Sequence, residues 1–353
     1  MTDDAWLPDA LEARVLELFQ LPAETRAREL DALCDAEPGH ADQIRALAAL
    51  GASTEHAAAA PPARIGPYRI LSVLGEGGMG TVYLAEQETP VQRRVALKLI
   101  KLGMDSKQVV ARFASERQTL ASMNHPNIAQ VFDGGLSTEG RPYFVMEYVD
   151  GEPIHRFCET HQLDLRARLE LFRDVCAGVQ HAHQRGVLHR DLKPTNVLVA
   201  RENQVARPKI IDFGLARAID TDDTDRSLLT VEGQLLGTPG YMSPEQADAS
   251  FAAIDTRTDV YSLGIVLYQL LVGKLPFDAD SMRGIPLSEL QRRIREDEPA
   301  RPSARAAAIA KSTGEPPVPW IRRLRGDLDC IVMHCLEKEP DRRYRSPAAL
   351  SED

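Results

Sequence analysis

Apolar positions recur at helical spacing through the first fifty residues and switch to alternation at Tyr68. Leu11, Val15, Leu18 and Phe19 form one stripe, Ala27, Leu30, Leu33 and Cys34 a second, and Ile44, Leu47 and Ala48 a third. That spacing predicts short helices, separated by breaks at Leu21-Pro22 and Glu37-Pro38-Gly39. A small all-α unit is therefore expected over residues 1–50, with nothing of catalytic character in it. The stretch GASTEHAAAAPP that follows is low in complexity and ends in two prolines, so an Ala/Pro linker is expected over 51–65. From Tyr68, strand-like runs flank Gly75-Glu76-Gly77-Gly78-Met79-Gly80, and Val95-Ala96-Leu97-Lys98 makes the next strand. A helix over about 109–123 and a strand over Tyr143–Val149 complete a sheet-rich part, expected to span 66–149. Helical runs dominate afterwards, beginning with residues 165–184, so a mainly helical part is expected over 150–353. The apolar run from Val260 to Val272 is broken by Ser262 and Gln269 and falls short of the roughly 18 apolar residues that cross a bilayer. It reads as a buried core helix.

Composition narrows the function classes. The chain has 353 residues, enough for two or three folding units with a cleft between them. With Asp+Glu 52 against Lys+Arg 42 the net charge is −10, which gives no electrostatic basis for nucleic-acid binding. The N-terminus carries acids where a secretory signal carries bases, and no membrane segment is expected, so the expected compartment is the cytoplasm. Five dispersed cysteines without a CxxC pair (Cys34, Cys158, Cys176, Cys330, Cys335) disfavour a disulfide framework or zinc site. Cys330 and Cys335 are expected to pack as small apolar residues on one helix.

Candidate chemistry centres on His189-Arg190-Asp191-Leu192-Lys193-Pro194-Thr195-Asn196, placed between a helix and the β-branched run Val197–Val199. In such a loop Asp191 can accept a proton from an incoming hydroxyl, and Asn196 can turn its amide oxygen toward a metal ion. Upstream, the glycine-rich hairpin can approach a ligand closely because glycines remove the side-chain barrier. A strand, Gly80-Thr81-Val82, follows those glycines, whereas the dinucleotide-binding version needs a helix there. Lys98, on the next strand, could reach phosphates beneath that loop, with Glu116 as its expected partner. Main-chain groups near Glu147 to Val149 are expected to be free for a planar base. His181 and His183, two apart on a helix, point in different directions, so packing or capping is favoured over a metal site.

Downstream come Pro208-Lys209-Ile210-Ile211-Asp212-Phe213-Gly214, then Gly237-Thr238-Pro239-Gly240-Tyr241-Met242-Ser243-Pro244-Glu245, then Asp259-Val260-Tyr261-Ser262-Leu263-Gly264. With these the chain resembles the protein kinase family, in its bacterial eukaryotic-like (Hanks-type) Ser/Thr branch, over about residues 68–345. The resemblance implies an α+β, bilobal protein kinase fold: a small antiparallel β-sheet lobe with one helix, and a large mainly helical lobe. It implies ATP and Mg2+ as cofactors, with Mn2+ as a substitute. Gly75, Glu76, Gly77, Gly78, Gly80, Val82, Ala96 and Lys98 would bind the nucleotide with the main chain of Glu147 and Val149, Glu116 orienting Lys98. Asn196 and Asp212 would hold the metal. Asp191 would take the hydroxyl proton, Lys193 would neutralise the transferring phosphoryl group, and Thr238 would contact both. Lys193 and Thr238 resemble the Ser/Thr type, so protein substrates with Ser or Thr acceptors are expected.

The same resemblance makes the segment between Asp212 and Glu245 an activation loop. Arg190 before the catalytic Asp is the expected receiver of a loop phosphate, with autophosphorylation expected at Thr230 and then Ser227, through a transient dimer. Glu245 and Arg342 resemble the family's buried ion pair, and Asp259 its acid supporting the catalytic loop. The basic, Pro-rich insert 281–320 is expected as a loop or docking surface. Ser346-Pro347 starts a capped helix that stops at Asp353. Relatives of this type continue into a membrane span or sensor region, so a longer, membrane-anchored protein is the corresponding expectation. A pseudokinase and a small-molecule kinase are the competing readings. The first is disfavoured by Lys98, Asp191, Asn196 and Asp212, the second by the Gly-Thr-Pro-Gly-Tyr and Ser-Pro-Glu elements.

Overall fold

In the computed structural model the described residues are 62–77, 80–101, 120–202, 205–213, 239–247, 254–277, 285, 287–314 and 318–353, with 11, 18, 23–37, 40, 41 and 44 nearer the N-terminus. The chain divides into two units, Met1–Pro62 and Ala63–Asp353. In the first, helix α1 (Ala23–Ala36) buries Leu33 and Cys34 against Ile44. These are members of the second and third apolar stripes.

The second unit starts with strand β1 (Arg64–Ile65), at the end of the expected linker, pairing with β2 (Tyr68–Gly77). Then follow β3 (Gly80–Gln87), β4 (Arg93–Ile100), β5 (Val131–Leu136) and β6 (Pro142–Glu147). Among the described residues these form one antiparallel sheet in the order β1-β2-β3-β4-β6-β5. Side chains alternate across it with period two. Val95, Leu97 and Leu99 pack with Tyr68, Tyr83, Tyr143 and Val145 on one face. Ala96, Phe144 and Met146 join the main core on the other. The register slips between Ile70 and Ser72 and between Val73 and Gly75, and such bulges increase local twist.

The large lobe opens with β7 (Glu152–Pro153), α2 (Ile154–Thr160) and α3 (Leu165–His183). The Asp164 carboxylate accepts from Ala167 N at 2.8 Å and starts α3. Its apolar stripe (Leu171, Phe172, Val175, Val179, Ala182) lies in the core. Strands β8 (Val197–Glu202) and β9 (Val205–Ile210) complete a second sheet, β7-β8-β9. Gly178 of α3 lets the helix approach closely, since a Cβ there would stand 2.9 Å from Ile210 Cδ1.

A short helix, α4 (Pro244–Ala247), precedes α5 (Thr256–Val272). Asp255 caps α5, accepting from Arg257 N at 2.8 Å, and Gly273 ends it in the left-handed region at φ 79°. Fourteen of its 17 residues are buried. At about 1.5–3 kcal/mol per fully buried aliphatic side chain, α5 is the central support of the lobe, as its apolar run predicted. The expected insert loop is instead helical among the described residues: α6 (Leu287–Glu296) and α7 (Pro302–Thr313) lie in it. Tyr268 donates to Ala300 O at 2.9 Å and the Trp320 indole to Leu271 O at 3.0 Å, which binds the insert to α5. Helices α8 (Ile321–Leu324), α9 (Asp327–Cys335) and α10 (Pro347–Glu352) complete the lobe. On α9, Cys335 is buried as expected, but Cys330 is exposed. Ser346 caps α10.

Candidate active site

The catalytic-loop octet is held from beneath by Asp259, a fully buried residue in the first turn of α5. One carboxylate oxygen accepts from His189 N at 2.8 Å and from His183 Nε2 at 2.7 Å, the other from Arg190 N at 2.9 Å. Burial pushes this carboxyl's pKa up, but His183 and the loop's own donors outweigh it and hold the group below its ordinary value. His183 thus packs and bonds inside the fold. His181 stacks on His125 with ring centroids 4.9 Å apart, and the packing account of both histidines holds.

His189 links the loop to the strand that carries Asp212. Its Nε2 lies 3.0 Å from Ile211 O and its Nδ1 3.3 Å from Asp191 N. A carbonyl only accepts, so Nε2 carries the proton and Nδ1 is the acceptor. The ring also packs on Phe213, with centroids 4.7 Å apart. Ile211 N donates to Asn196 O at 2.9 Å, joining the far end of the loop to the same strand.

Above this frame stand the polar groups. Lys193 Nζ is 2.8 Å from Asp191 Oδ2. The Asn196 amide nitrogen donates to Asp191 O at 2.8 Å and contacts Oδ2 at 3.3 Å. The amide oxygen of Asn196 is thereby turned away from Asp191. Lys98 Nζ pairs with Asp212 Oδ2 at 2.9 Å. Asp212 and Arg190 both have positive φ, 63° and 66°, a conformation that strains non-glycine residues by roughly 1–3 kcal/mol and concentrates at functional sites.

The small-lobe sheet supplies the opposite wall. Val82 lies across from Lys98 in the β3–β4 ladder, and Ala96 shares the Lys98 face of β4 by the two-residue alternation. Those three side chains face one way, while Leu97 and Leu99 enter the separate small-lobe core. Gly75 and Gly77 have open space where a Cβ would stand. Gly80 differs: at φ 155° its Cβ would stand 2.2 Å from Leu99 O, so pairing of β3 with β4 itself demands that glycine. Glu76 is exposed beside them.

Several expectations change. The Glu147 N–H is not free, because it donates to Gln130 O at 2.8 Å. Only the carbonyl of that residue and the main chain beyond it are left for a base. The buried ion pair uses Arg343, whose Nη1 and Nη2 reach the Glu245 oxygens at 2.7 and 2.8 Å. Arg342 is exposed and pairs with Glu339. The 3-10 turn Pro340–Arg342 rotates position 343 inward, a phase that two adjacent arginines do not reveal. Sequence reasoning also missed Gln246, whose amide nitrogen donates to Arg190 O at 2.6 Å, next to the Glu245 it did select. Glu116, Gly78, Thr238, Thr230 and Ser227 lie outside the described residues.

The donor chemistry fits a nucleotide with a divalent cation. A carboxylate of Asp212 and an amide oxygen of Asn196 are hard oxygen ligands of the kind Mg2+ takes, with phosphates and waters completing its shell. Lys98 is a compact cation beside them. Among the described residues there is no cluster of three or more His, Cys, Asp or Glu that could hold a metal ion. No helix among the described residues is long and apolar enough to cross a membrane.

Comparison with known proteins agrees. A family model described as "Protein kinase domain" matches residues 68–353. Serine/threonine-protein kinase PknB of Mycobacterium leprae is 36% identical over 298 residues, 83% of this chain and 43% of that protein. Serine/threonine-protein kinase pkn3 of Myxococcus xanthus is 39% identical over 290 residues, 80% of this chain and 48% of the relative. The kinase domain of Mycobacterium tuberculosis PknI superposes with a TM-score of 0.58 at 25% identity, covering 82% of this chain and 95% of that structure. The chain spans less than half the length of these curated relatives.

Proposed function

The chain belongs to the protein kinase family, and from that premise we propose that it is a Ser/Thr protein kinase moving the γ-phosphoryl group of ATP to protein hydroxyls in bacterial signal transduction. The observation that carries the reading is convergence: Lys98 pairs with Asp212, Lys193 and Asn196 both reach Asp191, and Ile211 N, next to Asp212, donates to the Asn196 carbonyl. Phosphoryl transfer needs little covalent work from a protein, mainly positioning and charge neutralisation. That is what these groups supply.

In this reading Asp191 orients the acceptor hydroxyl and takes its proton as the oxygen attacks and ADP leaves. Lys193, 2.8 Å from that carboxylate, neutralises charge on the transferring group. Lys98 holds the α- and β-phosphates under Gly75 and Gly77, and Val82 and Ala96 border the base with the Glu147 carbonyl and the Val149 main chain. Asp212 and Asn196 would hold Mg2+, which when bound would screen the phosphate charge; Mn2+ would meet the same oxygen ligands. Lys193 beside Asp191 supports Ser and Thr acceptors. The Arg190 backbone is held by Asp259 and Gln246, and in this reading its guanidinium pairs with a phosphate on Thr230 or Ser227 of the same chain's activation loop, added by a second copy in a transient dimer. A cytoplasmic kinase domain is part of the same reading.

Steady-state assays with matched Ser, Thr and Tyr peptides test this. Phosphate on Ser or Thr, abolished by Asp191→Asn and strongly lowered by Lys193→Met, is expected. Transfer to Tyr alone, or none to any peptide, would overturn it. Mass spectrometry after incubation with ATP is expected to find Thr230 modified first; an active enzyme bare at both Thr230 and Ser227 removes the autophosphorylation part.

A further inference from the structure

Glu147 is held from three directions at the point where β6 leaves the sheet. Its N–H donates to Gln130 O at 2.8 Å. One side-chain oxygen accepts from Gln130 N at 3.3 Å, and the other lies 2.7 Å from Lys209 Nζ. That ammonium comes from β9, three residues before Asp212, and crosses from the small lobe's last strand to the strand of the large lobe that delivers the metal-binding carboxylate. The ion pair is partly buried, with side-chain exposures of 29% for Glu147 and 13% for Lys209. Such a pair is screened less than an exposed one.

The rest of β9 is fixed along its length. Asn127 Nδ2 donates to Pro208 O at 3.0 Å, Ile210 N donates to Asn127 O at 2.9 Å, and Ala129 N donates to Ile210 O at 2.9 Å. Residues 127–130 thus form a spine with β9 on one side and Glu147 on the other. Lys209 closes the triangle. Without its charge, the Glu147 carboxylate keeps, among the described residues, a 3.3 Å bond to Gln130.

We infer that Lys209 and Glu147 form a positioning pair that fixes the base-binding edge at Glu147 relative to Asp212 and so sets the affinity for ATP. Neither side chain touches the reacting atoms. The inference rests on the base lying against the Glu147 carbonyl. It gives the Glu147 side chain a function separate from its main chain, and it gives Lys209 one where the sequence suggested only a strand residue.

The test is steady-state kinetics in ATP, with the whole chain and a saturating protein substrate, on wild type, Lys209→Met, Lys209→Arg, Lys209→Glu and the swap Glu147→Lys/Lys209→Glu. Lys209→Met is expected to raise KM for ATP roughly three- to tenfold with kcat within about twofold, the size of coupling between contacting residues. Lys209→Arg keeps KM near wild type, because it restores a cation. The swap recovers a large part of the loss seen in Lys209→Glu. Melting temperatures measured alongside are expected to stay close to wild type in Lys209→Met. An unchanged KM in Lys209→Met, a swap no better than Lys209→Glu alone, or a KM effect seen only with a matching fall in melting temperature overturns the pairing role. A wild type inactive on every substrate overturns the kinase reading instead, so the two failures are distinct.

Discussion

Two carboxylate–cation pairs in the large lobe and the cleft use similar chemistry for different ends. Glu245 and Arg343 are sealed inside, at 1% and 0% side-chain exposure, while Asp212 keeps 22% beside Lys98. Every Arg343 donor is matched: Nε to Glu337 O, Nη1 to Glu245 and Arg257 O, and Nη2 to Glu245 and Lys338 O. Thr258 Oγ1 adds a bond to Glu245 at 2.7 Å. Among the described residues Asp212 carries one ion pair and leaves part of its carboxylate exposed. A saturated pair can only hold a structure together, whereas an unsaturated one can exchange its partner for a phosphate or a metal. The difference separates scaffold from chemistry.

Removing the cation from the saturated pair gives the largest stability effect. Arg343→Met leaves Glu245 buried and uncompensated, and should destabilise the domain by about 3–5 kcal/mol. Arg342→Ala, one residue away but exposed, should stay within about 0.5 kcal/mol. Equal denaturation midpoints for the two would show that the inward residue has been misassigned. Thr258→Val removes one bond to the same carboxylate and should lose about 1–3 kcal/mol, since the Glu245 oxygen is left without that buried donor.

A pH titration of stability sharpens the contrast further. Burial pushes Glu245 up, but the Arg343 bonds and charge and the Thr258 hydroxyl outweigh it, so its folded pKa lies below the ordinary value; Asp259 is depressed in the same sense by His183. For a depressed carboxyl, stability is present in full above the unfolded pKa of roughly 4 and is lost as pH falls through the folded value. Stability should therefore change little through these groups at neutral pH and fall below roughly pH 4. Thr258→Val, with Glu245 less depressed, should start the fall at the same pH but lose less stability and level off at higher pH. Thermal melts across the acid range check this, and a Thr258→Val curve parallel to wild type would contradict it.

How much was legible beforehand follows the same division. The groups of the cleft lie in short, spaced motifs whose residue types the chemistry dictates, so Lys98, Asp191, Lys193, Asn196 and Asp212 could be named before any geometry. Helix α5 was legible because an apolar run without a polar face has to be buried on all sides. Contacts set by packing phase or by long loops were not. Nothing local distinguishes Arg343 from Arg342, no pattern tells that His183 turns to Asp259, and Gly80 looked like a phosphate-loop glycine although Leu99 demands it. Lys209 meets Glu147 across 62 residues, a pairing that only the fold creates.

A small stability effect is expected at the open pair, which also tests the account most directly. Asp212→Asn should retain the wild-type melting temperature to within a few degrees, while radiolabelled phosphate transfer from ATP with Mg2+ to a basic protein should fall at least about a hundredfold. Both quantities are to be read on the same preparation. Loss of transfer in a folded protein is the predicted result. Transfer that survives the substitution, or a wild type that incorporates no more label than Asp212→Asn, would contradict the assignment of this cleft as the site of phosphoryl transfer.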